Sequence, residues 1–188
     1  IHIPFCRRKC AYCDFVSFPG REAQMDDYIA AVIGEARLYA DALNSHSVDT
    51  VFVGGGTPSL LSPKQFERLA DGLKSCCSWR VSEFTVEANP ETLDADKVAA
   101  YAAYGVTRLS LGLQTHDDAI LQRIGRRHSW DTFLRAYETA VKHIPDINVD
   151  TIFGLPGQTL DEYLETLRRV IALQPAHVSS YALKLEEG

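Results

Sequence analysis

What this chain of 188 residues lacks narrows its chemistry first. No apolar run approaches the length of a membrane span and no signal-peptide pattern is visible, so no membrane span is expected. Lysine and arginine number 19 against 25 aspartate and glutamate, a net charge of −6. The basic residues gather nowhere beyond Arg7-Arg8-Lys9 and Arg123-Arg126-Arg127. Groups this small make no nucleic-acid footprint, so neither RNA nor DNA is expected as a partner. The glycine run at Gly54 does not follow the G-x-G-x-x-G order of dinucleotide folds and lacks the lysine of a P-loop, which weakens any case for phosphate binding there. There is no linker, low-complexity tract or convincing internal repeat. Five cysteines, an odd number with three clustered, argue against a disulfide scaffold and for a reducing compartment, with a cytoplasmic location expected.

What is present is an ordinary globular composition, 46% hydrophobic and 23% charged, which is enough for one sizeable core. The chain opens in a strand-like Ile1-His2-Ile3 and stops after another strand at Glu186-Glu187-Gly188. Residues 1–188 are therefore expected to be one core domain of a longer protein, with its C-terminal domain not included.

The cysteines organise the reading. Cys6, Cys10 and Cys13 fall at spacing C-x3-C-x2-C, behind Pro4 and Phe5 and ahead of Pro19-Gly20, in a segment that reads as a loop. Thiolates are soft anionic ligands suited to zinc or iron–sulfur centres, and three of them leave a four-coordinate ion or a four-iron cluster one ligand short. The same spacing also places three small apolar residues on one helical stripe, so core packing and a structural zinc site stand beside the cluster as readings. Cys76 and Cys77 carry no evident role.

Along the chain, a helical period runs from about 26 to 43 with Ile29, Val32, Ile33, Ala36, Ala40 and Leu43 on one face. Val48 to Val53 reads as a strand ending in Gly54-Gly55-Gly56-Thr57-Pro58. Ser62-Pro63-Lys64-Gln65 is a capping box that starts a helix burying Phe66, Leu69, Ala70 and Leu73. Val81 to Ala88 is a strand stopped by Asn89-Pro90, and Asp94 caps a helix that Gly105 ends. Val106 to Leu113 runs into Gln114; helices follow at 117–124 and 129–143. Ile147 to Phe153 is a strand, Thr159 to Glu162 a second capping box, and 176–185 the last strand. Strict alternation of strand and helix predicts a parallel sheet covered by helices, either a partial barrel or a doubly wound sheet.

In a parallel barrel, ligands bind at the C-terminal strand ends. Phe84, Val86 and Ala88 alternate with Thr85 and Glu87; Leu109, Leu111 and Leu113 with Ser110, Gly112 and Gln114; Ile147 and Val149 with Asn148 and Asp150. Glu87, Gln114 and Asp150 thus end three consecutive strands on a polar face. Any one alone reads as a solvated rim residue, but together with the cysteine loop and the glycine turn they ring one mouth. Gly54-Gly55-Gly56 would let a ligand approach bare backbone, and Arg126 could meet a carboxylate.

These residues resemble the radical S-adenosylmethionine (SAM) enzymes, whose signature is a C-x3-C-x2-C loop after the first strand of a partial (β/α)6 barrel. The resemblance is closest to the family of oxygen-independent coproporphyrinogen III oxidase and its haem-chaperone relative. It is carried along the chain by Ile-His-Ile-Pro-Phe-Cys, Gly-Gly-Gly-Thr-Pro-Ser, Val-Glu-Ala-Asn-Pro, Leu-Gly-Leu-Gln-Thr and Asp-Thr-Ile-Phe-Gly-Leu-Pro-Gly-Gln-Thr, and at the end by Tyr-Ala-Leu-Lys-Leu-Glu-Glu-Gly. The resemblance implies a [4Fe-4S] cluster on Cys6, Cys10 and Cys13. It implies SAM held by Gly55, Gly56, Thr57 and Glu87, with Tyr12, Gln114, Arg126 and Asp150 at further cofactor-binding positions. Phe15 stands where the oxidase has a fourth cysteine, which points to the chaperone branch: haem binding and delivery to a haem-protein acceptor, with haem held outside or only partly within these residues. The other branch implies oxidative decarboxylation of a porphyrinogen. Either implies an electron donor such as flavodoxin or ferredoxin.

Overall fold

A computed structural model describes residues 1–184. The chain begins with two short strands, β1 (His2–Ile3) and β2 (Phe5–Cys6), and β3 (Phe18–Pro19) follows the cysteine loop. Then come α1 (Met25–Leu38), α2 (Ala40–Asn44), β4 (Ser47–Gly55), α3 (Pro63–Lys74), β5 (Ser78–Ala88) and α4 (Ala95–Ala103). The series continues through β6 (Arg108–Gln114), α5 (Asp118–Arg123), α6 (Trp130–Val141), β7 (Asp146–Phe153), α7 (Leu160–Ala172) and β8 (His177–Ala182).

Among the described residues, six strands pair in the order β1-β4-β5-β6-β7-β8, every pair parallel. A doubly wound sheet reverses its strand order part-way, because its two halves grow in opposite directions. Here the order follows the chain throughout, so the sheet is the partial barrel. The helices form the outer layer, with α1 against α3, α3 against α4 and α4 against α6.

The alternation of side chains explains both layers. Phe84, Val86, Leu109, Leu111, Leu113, Ile147 and Val149 are buried in the main apolar core beneath the helices. Phe66 of α3 joins that core through Phe84 on β5 and Tyr101 on α4, at ring separations of 5.9 and 4.5 Å. The opposite face stays polar, and its residues lie side by side across the sheet: Glu87 beside Ser110, Ser110 beside Asn148, Gly112 beside Asp150.

Local signals hold where their partners are near in sequence. Both capping boxes form, Ser62 with Gln65 and Thr159 with Glu162. Three details depart from expectation. The helix expected over 26–43 breaks at Tyr39, where φ is −100° and ψ is 9°. Its buried anchors are Met25, Ile29 and Ile33; between Ile33 and Leu43 the inner face offers only Ala36 and Ala40, too small to hold the helix continuous against the sheet across that stretch. The cysteine segment is not wholly loop, since Phe5 and Cys6 pair with Phe18 and Pro19 and pinch its base. The last strand is shorter than 176–185, and Leu185 lies outside the described residues.

Candidate functional site

The polar face of the sheet encloses a cavity of about 770 Å³. Its wall includes Glu87, Ser110, Gln114, Asn148 and Asp150 from the strands, Gly55 to Thr57 from the first glycine turn, and Cys6, Cys10, Tyr12 and Cys13 from the cysteine loop. Arg126 reaches it from the turn after α5. Every residue singled out in the sequence as a metal or cofactor contact therefore faces one space.

The cysteine loop is anchored at several points. At its base Phe18 N–H donates to Pro4 C=O at 2.7 Å, and in its middle Ala11 N–H donates to Ile124 C=O at 3.0 Å. Tyr12 packs on a small apolar cluster of Ile120, Leu121, Ile124, Ile152 and Leu155, and burial raises its phenol pKa, so it stays neutral. Lys9 Nζ closes the loop by donating to Phe15 C=O and to Ser17 Oγ. Cys6 is buried with its Sγ 3.5 Å from Thr57 Oγ1, while Cys10 and Cys13 are half-buried. Among the described residues no three His, Cys, Asp or Glu side chains converge as a single ion requires. Three thiols spread along one wall suit a four-iron cluster, where each thiolate serves its own iron.

The glycine turn is a cradle because side chains are excluded from it. Gly55 has φ +114°, and a Cβ there would lie 2.6 Å from the His2 ring. A Cβ on Gly56 would lie 2.6 Å from Phe5 C=O and 3.0 Å from Cys6 Sγ. Gly55 N–H donates to Glu87 Oε2 at 2.9 Å. Burial, with a further contribution from Asp150, raises the Glu87 pKa above the usual carboxylate range although the Gly55 N–H opposes it. A carboxylate at this depth is poised to take a cationic or hydrogen-bond-donating ligand group.

Asn89 is a site residue to which the sequence assigned no role, since it read as a strand stop and as part of Val-Glu-Ala-Asn-Pro. Its Nδ2 donates to Thr57 Oγ1 at 3.1 Å, its Oδ1 accepts from Arg126 Nη1 at 2.8 Å, and its N–H donates to Ser59 Oγ at 3.0 Å. Arg126, buried, also donates to Gly112 C=O, a close approach that only a residue without a side chain permits. Behind it lies His128, with Nε2 donating to Leu113 C=O at 3.2 Å and Nδ1 3.6 Å from Glu91 Oε2. Burial, the largest cause, lowers the His128 pKa although Glu91 opposes it.

On the opposite wall Asp150 accepts from Ser110 Oγ at 2.7 Å and from Asn148 Nδ2 at 2.8 Å. Asn148 Oδ1 in turn accepts from His177 and Ser179 at 2.6 and 3.0 Å. Gln114 departs from regular alternation: the register shifts between Gly112 and Gln114, and Gln114 takes φ +74°.

The family model described as Radical SAM superfamily matches residues 1–170 of this chain. The chain belongs to the radical SAM superfamily. Membership in this superfamily implies a [4Fe-4S] cluster and SAM, and the donor set fits both: three thiols on one wall, with the glycine cradle and Glu87 lining the same cavity. The chain is 39% identical to "Heme chaperone HemW" of Escherichia coli strain K12 over 189 residues, which is 99% of this chain and 50% of that protein. It is 38% identical to "Heme chaperone HemW" of Bacillus subtilis strain 168 over 189 residues, with the same coverage. Among solved radical SAM structures, coproporphyrinogen III oxidase (HemN) from Escherichia coli superposes with a TM-score of 0.91 at 28% identity, covering 97% of this chain and 43% of that one. The chain spans about half the length of the curated relatives it matches. No helix of the described residues is long and apolar enough to cross a membrane.

Proposed function

We propose that residues 1–188 are the radical SAM core domain of a haem chaperone, a protein that binds haem and hands it to haem proteins in the cytoplasm. The observation that carries this reading is the identity of 38–39% with proteins named as haem chaperones along 99% of the chain. Phe15 supports it, standing where the oxidase branch has a fourth cysteine.

In this reading Cys6, Cys10 and Cys13 ligate the [4Fe-4S] cluster. Gly55, Gly56 and Thr57 offer backbone and hydroxyl groups to SAM, and Glu87 takes a donor group of that cofactor. Asn89 fixes Thr57 and Arg126 in position, and Tyr12, Gln114, Arg126 and Asp150 complete the wall. The bound pair supplies one-electron chemistry, with flavodoxin or ferredoxin as the electron source. The chain orients the pair against the hydrogen-bonded side chains of the cavity wall.

Oxygen-independent coproporphyrinogen III oxidation is the second reading, favoured by the superposition on the oxidase. Anaerobic assay of the full-length, cluster-reconstituted protein with haem and with coproporphyrinogen III separates the two. Stoichiometric haem binding and transfer without porphyrinogen turnover is the expected result. Turnover to protoporphyrinogen would overturn the chaperone reading. Failure to incorporate iron and sulfide would remove both.

A further inference from the structure

Beside the main cavity lies a smaller recess of about 20 Å³, sharing Cys10 and Arg126 with it. Arg7, Arg8 and Arg127 also line it, all three exposed and none with an ion-pair or hydrogen-bond partner among the described residues. Lys9, next in the loop, is exposed as well. Arg126 adds a fourth arginine, 8% exposed, whose Nε is buried without a partner. Glu91 is the one carboxylate among the lining residues. The chain as a whole carries a net charge of −6, so the surface away from this patch is more acidic still.

We infer that this arginine-rimmed recess is where an acidic one-electron carrier protein docks to reduce the cluster. The inference rests on the assignment of that cluster to Cys6, Cys10 and Cys13. An acidic partner is repelled by most of the chain and drawn to this one face, the arrangement that speeds and orients an encounter. The recess itself has room for little more than one small group, such as the end of an acidic side chain. The cations extend beyond it along an exposed loop, a footprint suited to a protein face rather than to a single small anion. Cys10 lines the recess, so a carrier seated there lies against a cluster ligand. The carrier loses one electron and the cluster gains it; no protein bond forms or breaks and no proton need move.

The test uses full-length protein reconstituted anaerobically and mixed with reduced flavodoxin in a stopped-flow instrument, following the cluster's visible absorbance. The triple variant Arg7→Glu, Arg8→Glu, Arg127→Glu should reduce at least about tenfold more slowly than wild type at low salt, and the wild type's fall in rate with salt should disappear. Calorimetry should show weaker binding of oxidised flavodoxin by the same variant. Reduction by dithionite should be unchanged, which also reports an intact cluster and fold. A matched reversal far from the recess, Arg37→Glu, Arg80→Glu, Lys142→Glu, should leave the flavodoxin rate within about twofold of wild type. Equal slowing by the two triple variants would reduce the effect to net charge and overturn the inference, as would an unchanged rate in the first. No dithionite-reducible cluster in wild type would overturn the cluster assignment itself, and the docking inference with it.

Discussion

Arg126 Nη1 donates to Asn89 Oδ1 at 2.8 Å, and the same amide donates Nδ2 to Thr57 Oγ1 at 3.1 Å. Asn89 thereby couples the first glycine turn to the turn after α5, the two elements between which the cysteine loop is seated. A neutral side chain holds a buried guanidinium in place and leaves its charge free for the cavity.

Asn89→Ala should destabilise the protein by about 2–3 kcal/mol, because it deletes a hydrogen bond to a charged group and leaves that group less satisfied. At roughly 2–4 °C per kcal/mol for a chain of this size, the midpoint should fall by roughly 4–12 °C. Thermal unfolding followed by circular dichroism measures it. A midpoint within a degree of wild type would show that the bridge carries no energetic weight.

How much of this was legible in the sequence follows from how far apart the interacting residues lie. Ser62 with Gln65 and Thr159 with Glu162 are three residues apart, and both boxes formed as expected. The polar faces at Glu87, Ser110 and Asp150 were legible because strand alternation is local. Asn89 was not, since its partners lie 32 residues before and 37 after it. Nor was the break at Tyr39, where the periodic pattern continues and neither glycine nor proline marks a stop. There the outcome turns on whether the face still has large side chains to bury.

Glu87 gives a pH signature. Burial, first among its causes, holds its native pKa above the unfolded value of about 4.3. The native state therefore binds the proton more tightly. This group's stabilising contribution is full below about pH 4 and is lost as pH rises through the raised native value. Glu87→Gln should match wild type in stability at pH 4 and exceed it at pH 7, in denaturant melts at the two pH values. Wild type gaining on the variant as pH rises would contradict the assigned direction. In ligand binding the order reverses: Glu87→Ala should lose about 1–3 kcal/mol of SAM affinity, roughly 5- to 150-fold, with the cluster spectrum intact.

Cys10→Ala separates a ligand from a packing residue. Cys10 is half-buried, and the bond that anchors its neighbour Ala11 to Ile124 uses the backbone alone. Stability without the cluster should therefore change by less than about 1 kcal/mol. Iron and sulfide after reconstitution should fall to background, because two thiolates cannot hold four irons against solvent. Full iron content in the variant would return Cys10 to ordinary packing.

Two glycines make a paired test of the cradle. A methyl on Gly56 would lie 2.6 Å from Phe5 C=O and 3.0 Å from both Ile3 C=O and Cys6 Sγ. Two of those three atoms are backbone oxygens already engaged, Ile3 C=O by Gly56 N–H at 2.9 Å and Phe5 C=O by Thr57 N–H at 2.8 Å. They cannot step aside as a flexible side chain would, so the methyl must displace the segment that carries Cys6. Gly56→Ala should cost about 1–3 kcal/mol and lower the cluster yield as well. Gly34 lies within α1 with nothing inside 4 Å of an added Cβ. There the same substitution only removes unfolded-state freedom and improves helix propensity, so Gly34→Ala should raise stability by about 0.5–1 kcal/mol. Denaturant melts of the two variants, each beside wild type, should move in opposite directions. A Gly56→Ala protein as stable and as fully loaded with iron as wild type would mean that the turn has slack, and that close backbone approach is not what places Cys6.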